Sequence, residues 1–166
     1  MAPTPPILLY VQAQEKVRNL QCEAIPEPGC PIAVSQARTE LDLDPFGAPL
    51  AARIYIDYAN ASQQEVAAVK FRIRFVDPQG NDRGTFHAPD AFLAPPGAVR
   101  SQKWKYERVD PRITDLKIRV LQVRFADGSS WQSAKMQELA NPPGSTGSST
   151  GPQDAAGSDK APTATP

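Results

Sequence analysis

Val69, Phe71, Ile73 and Phe75 alternate with Lys70, Arg72 and Arg74, and this alternation limits the possible folds more than any other feature of the chain. Successive side chains of a strand point to opposite faces, so a period of two predicts a strand with one wall in a core and the other in water. A helix would scatter the same residues around its circumference. Asp77, Pro78, Gln79 and Gly80 follow directly. Proline presets φ at the first central position of a turn and glycine accepts φ > 0, so the strand is expected to reverse into a hairpin.

Similar segments recur on both sides, separated by turn residues. Ile32 to Leu43 reads as a rather polar strand ending at Asp44, Pro45, Phe46 and Gly47. Ala52, Ile54, Ile56 and Tyr58 alternate with Arg53, Tyr55 and Asp57 in the next. After the Val69 strand, Gly84 to Ala88 continues near Ala91 to Ala94 across Pro89, which suits only an edge strand or a bulge. Val99 to Glu107 places Trp104 and Tyr106 on one face and Lys103 and Lys105 on the other. Thr114 to Ala126 changes parity: Leu116, Ile118 and Val120 share one face, and Leu121, Val123 and Phe125 the other. A bulge near Val120 to Gln122 would let both sets reach the core. Gly128 in a left-handed conformation would then set Val123 opposite Trp131 and carry the indole inward. Seven strands in about a hundred residues, with no helix expected between Pro31 and Met136, predict an all-β, seven-stranded antiparallel β-sandwich of immunoglobulin-like type.

The division expected is a Pro-rich N-terminal extension over 1–30, the sandwich over 31–138, and a tail over 139–166. The chain holds 18 prolines in 166 residues, well above the ordinary share of about 5%, and many of them lie at its two ends. Ile7 to Val11 followed by Gln12 and Ala13 has the form of a truncated secretory signal, with small residues at the −3 and −1 positions. Tyr10, Ala13, Val17, Leu20 and Ala24 equally fit one face of a short helix. Cys22 and Cys30 flank two prolines and a glycine that bend the backbone, making a disulfide the leading expectation and two separate thiols the alternative. Export would provide the oxidising compartment a disulfide needs. The tail is built of Pro, Gly, Ser, Thr and Ala without an apolar anchor, a composition expected to stay disordered.

Lys+Arg and Asp+Glu both total 18, which speaks against general nucleic-acid affinity. The charges are unevenly placed. Residues 1–65 carry four basic and eight acidic side chains, and residues 66–135 carry thirteen and seven. No run approaches the roughly eighteen apolar residues of a membrane span. His87 is the only histidine, and no Gly-x-Ser-x-Gly elbow accompanies it. Asp42 with Asp44, and Asp77 with Asp82, lack the density of a calcium loop and read as turn formers. Asn60, Ala61 and Ser62 form a glycosylation sequon that also reads as a turn. No catalytic, metal or cofactor site is expected. The remaining candidates for binding are the outward cations of the Val69 strand and its neighbour, Lys70, Arg72, Arg74, Lys117 and Arg119, which would lie side by side and suit an anionic glycan, surface ligand or acidic protein.

The run from Ile54 to Ser62, with Asn60-x-Ser62, then Val66 to Asp77 and Gly80 with Phe75-x-Asp77-x-x-Gly80, resembles the pattern of FxLyD-type domains over roughly residues 50–131. The resemblance implies a small immunoglobulin-like module of bacterial envelope or secreted proteins, and carries no catalytic residue with it. The expectation is therefore a non-enzymatic, extracytoplasmic binding or accessory module, periplasmic, secreted or at the cell surface. The alternative is a cytoplasmic protein-interaction domain with free thiols.

Overall fold

The computed structural model describes residues 16–141 and Gly144. Eight strands and one short helix follow one another as β1 (Val17–Ala24), β2 (Ile32–Leu43), β3 (Pro49–Asn60), β4 (Val66–Val76), β5 (Asp82–Ala94), β6 (Val99–Tyr106), β7 (Asp115–Phe125), β8 (Ser130–Gln132) and α1 (Ala134–Ala140). The strands form one mixed sheet in the order β5-β4-β7-β1-β2-β3-β6, with β8 added on β7. The sheet curls until its outer strands β5 and β6 face each other, leaving a nearly closed barrel.

The chain is thus mostly β, as the alternation requires, but it is not a purely antiparallel seven-stranded sandwich. The difference is β1. Val17 to Leu20 pair antiparallel with Thr39 to Asp42 of β2, whereas Gln21 to Ala24 pair parallel with Asp115 to Ile118 of β7. The helical spacing of Val17, Leu20 and Ala24 therefore misleads, since Val17 and Ala24 are exposed while Leu20 and Cys22, two apart, lean on the core. Two neighbouring strand ends offer this segment backbone partners, and its short apolar stripe cannot outweigh them as a helix. The signal-like residues Ile7 to Ala13 lie outside the described residues, as does most of the predicted disordered tail.

β4 runs between β5 and β7. Its Val69, Phe71, Ile73 and Phe75 join Ile54, Ile56, Ile118 and Val123 in a single apolar core. The hairpin after it is held by Asp77, whose carboxylate accepts the N–H groups of Gln79 at 3.0 Å and Asn81 at 2.9 Å. Gly80 takes φ 82°, where a side chain would be strained. Burial alone would raise the Asp77 pKa, but hydrogen bonds from Asn81, Arg83 and Gln79 bring it down to about 2.

β7 contains the expected bulge. Lys70 pairs with Gln122 and Phe71 with Val120, leaving Leu121 as the extra residue. Leu116, Ile118, Val120 and Val123 reach the core, with Phe125 partly buried beside them. Leu121 does not join them; it is buried outside that cluster, where Ser133 N–H donates to its carbonyl at 2.9 Å. The hairpin to β8 follows the left-handed Gly128, at φ 89°, and places Val123 opposite Trp131. Pro89 lies on the outer strand β5, as its missing N–H demands.

A helix where none was expected starts at Ala134. Ser133 caps it, its hydroxyl accepting Met136 N–H at 3.0 Å. Ala134 to Ala140 are mostly strong helix formers, so the cap and composition together were the available signal. α1 buries none of its residues. No helix among the described residues is long and apolar enough to cross a membrane.

Candidate functional site

The outer face of β4 and β7 gathers all five predicted cations. Register sets Arg72 directly opposite Arg119, Arg74 opposite Lys117, and Lys70 opposite Gln122. On the other side of β4, His87 of β5 stands opposite Arg72. Like charges facing each other across strands repel, and carboxylates from nearby segments offset most of this. Arg74 pairs with Asp82 at 3.1 Å, Arg119 with Glu27 at 2.8 Å, and Lys117 with Glu23.

Among the described residues neither Lys70 nor Arg72 has such a partner, and Arg72 is the one with a buried donor. Its Nε is buried without an acceptor among the described residues. Burial pulls its pKa below the ordinary arginine value, with Arg74 and Arg119 acting in the same direction against Asp82 and Glu138. The His87 pKa is likewise lowered, by burial and then by Arg72 and Lys70, so its imidazole adds no charge to this face at neutral pH.

Arg72 lines a cleft of about 400 Å³ together with Arg74, Asp82 and Arg119 of the sheet and Ala134, Lys135 and Glu138 of α1. Lys135 and Glu138 pair with each other at 3.0 Å. The alternation in β4 identified the floor of this cleft. The side formed by α1 was missed with that helix, and Asp82 was read only as a turn residue. A guanidinium stays charged at neutral pH and offers donors alone, so what this face can do is hold an acceptor-rich anion.

The other predicted features are structural. Asp42 pairs with Arg53 at 2.7 Å, and Asp44 accepts the backbone N–H groups of Phe46 and Ala48 in its own turn. Asn60 is buried, its amide donating to the Gln64 and Ala94 carbonyls and its carbonyl accepting from Ser62. Cys22 and Cys30 are separate free thiols, so the expected disulfide is corrected. Cys22 is fixed on β1, with its thiol donating to Thr39 Oγ1 at 3.2 Å. Cys30 instead lines a recess of about 280 Å³ with Ile32, Val34, Ile118 and Val120. Burial raises both thiol pKa values.

No family model matches the chain, and no curated protein matches it. Solved structures similar to it include a hypothetical protein from Peptoclostridium difficile 630, at 10% identity and a TM-score of 0.46, over 66% of this chain and 90% of that one. They also include the trimeric lipoprotein SadB of Salmonella enterica, at 14% identity and a TM-score of 0.34, over 63% of this chain and 60% of that one. Likenesses of this strength assign neither fold nor function. The functional reading therefore rests on the cationic face itself, where paired and unpaired charges stand side by side.

Proposed function

We propose that this chain is a non-enzymatic binding or accessory module that presents the outer face of β4 and β7 to an anionic group of a partner. The observation that carries this reading is Arg72, a half-buried guanidinium whose Nε lacks an acceptor among the described residues, while Arg74, Lys117 and Arg119 around it each have a carboxylate. An unsatisfied buried donor is a cost that an incoming acceptor relieves. An immunoglobulin-like assignment for strands β2 to β8 belongs to the same proposal. It is supported by β4, β7 and β8 lying together on one side of β1 and β2, β3 and β6 on the other, as the third, sixth and seventh strands of that fold share a sheet; β5 departs from that division, since it lies beside β4.

Retention on a carboxymethyl matrix at low salt tests the binding face. Arg72→Glu combined with Lys117→Glu should abolish salt-sensitive retention, whereas Lys103→Glu with Lys105→Glu, the same charge change on β6, should leave most of it. Equal losses from the two pairs would sink the reading.

The resemblance to envelope modules supports an exported setting. The second reading, an interaction domain of a reducing compartment, is supported by Cys22 and Cys30 standing as separate thiols. Alkylation of intact cells before lysis, followed by mass measurement of the purified protein, separates them. A reducing setting gives two alkylated cysteines once the chain is unfolded in the presence of the reagent. An oxidised pair that resists the reagent would restore the exported reading.

A further inference from the structure

The cleft over Arg72 also specifies what kind of anion fits, a step that rests on the reading of this face as the binding surface. Four cations line it, Arg72, Arg74, Arg119 and Lys135. Asp82 and Glu138 stand in its walls, and Glu27 pairs with Arg119. With Arg74, Arg119 and Lys135 each matched to a carboxylate, one positive charge is left over, on Arg72. That surplus suits a singly charged oxyanion, and the two carboxylates already in the walls repel a dianion or a polyanion. The Nε and Nη hydrogens along one edge of a guanidinium match the two oxygens of a carboxylate.

The edge is not open as it stands. Nε is shut off from solvent, and Ala134, Lys135 and Glu138 of α1 line the cleft beside it. α1 is seven residues long and buries none of them, so little apolar packing opposes its displacement. Glu138 is itself a carboxylate, close enough for its charge to act on Arg72, yet it is bonded to Lys135 and leaves Nε unmet.

We infer that the cleft is a gated site for a single carboxylate, which takes the Nε–Nη edge of Arg72 as α1 lifts, and that Glu138 is the built-in competitor for this place. The carboxylate is one borne by a partner or free in solution; the chemistry recognised is the same.

The test is an NMR titration of the full chain, following the Arg72 Nε–H signal and the amides of Ala134 and Lys135, with sodium acetate, sodium sulfate and sodium chloride at matched ionic strength. Acetate should move the Arg72 signal saturably and move the α1 amides with it, and sulfate should bind more weakly. Glu138→Gln should tighten acetate binding by about two- to fivefold, the range expected for a partly exposed charge pair. Arg72→Lys keeps the charge but loses the planar edge, and should weaken binding as read from the α1 amides. Sulfate binding as tightly as acetate, an unchanged affinity in Glu138→Gln, or an Arg72 signal that follows chloride equally would each overturn the inference. Any of these, with face-dependent retention on the carboxymethyl matrix intact, removes the gated carboxylate site and leaves the binding face standing; loss of that dependence removes both.

Discussion

An Asp90→Ala variant is expected to lose about 3–5 kcal/mol of unfolding free energy, the range seen when one partner of a buried charge pair is removed. Asp90 is 4% exposed on β5. It accepts Tyr58 Oη at 2.5 Å, Arg100 Nε at 2.6 Å and Nη2 at 3.0 Å, and Gln102 Nε2 at 3.0 Å. Tyr58 belongs to β3, and Arg100 and Gln102 to β6, so this one carboxylate ties together the two outer strands that no backbone ladder joins. Its removal leaves a buried phenol and a guanidinium without their acceptor. The expected loss is a large share of the 5–15 kcal/mol that holds a typical domain. Urea unfolding at pH 7 measures it, as a lower midpoint at unchanged slope. A loss below about 1 kcal/mol, the worth of an exposed pair, would show that the barrel closes without this clasp.

The same carboxylate gives the effect a pH dependence. Burial would raise the Asp90 pKa, but hydrogen bonds from Arg100, Tyr58 and Gln102 lower it. A carboxylate with a depressed folded pKa stabilises above its unfolded value of about 3.9 and loses that contribution as pH falls through the folded value. Asp77, at about 2, acts in the same sense. The native chain should therefore lose stability as pH falls from about 4 towards the Asp77 value of about 2, and the gap between it and the Asp90→Ala variant should narrow as pH falls below about 4.

Phe71→Ala should cost a similar amount, about 3–5 kcal/mol for a large aromatic removed from a core that cannot collapse around the void. Phe71 is fully buried at the centre of β4. Its ring meets Tyr58 edge-on at 5.2 Å and Trp104 at 5.7 Å, and these contacts add to the area it buries. Phe46, 95% exposed at the tip of the β2–β3 hairpin, is the matched control, expected to shift stability by no more than about 0.5 kcal/mol when changed to alanine. Thermal unfolding of both variants decides the matter. A Phe71→Ala midpoint close to that of Phe46→Ala would mean that the core does not depend on this ring.

The strands were legible where one face is buried and the other wetted, because that arrangement writes a period of two into the sequence. β4 is the clearest case, and the bulge at Leu121 and the left-handed Gly128 could be read from parity and turn chemistry alone. β1 was not legible for a physical reason. It is short and mostly exposed, and its one core-facing pair includes Cys22, which registers as a thiol to be paired before it registers as a small apolar side chain. Its conformation is decided by two strands far away in sequence. The cationic floor of the cleft followed from the same alternation as the core. The side formed by α1 did not, because α1 buries none of its residues and so writes no apolar stripe. Asp90 gave no sign of its role, since its partners lie 10, 12 and 32 residues away.

β1 lends one short strand to two neighbours, half to β2 and half to β7. Unpaired strand edges recruit other chains. While β1 is seated it withholds part of two such edges from self-association, and any event that draws it out exposes both together. A cut at the boundary the sequence suggested, before Pro31, would turn a guarded sheet into an adhesive one.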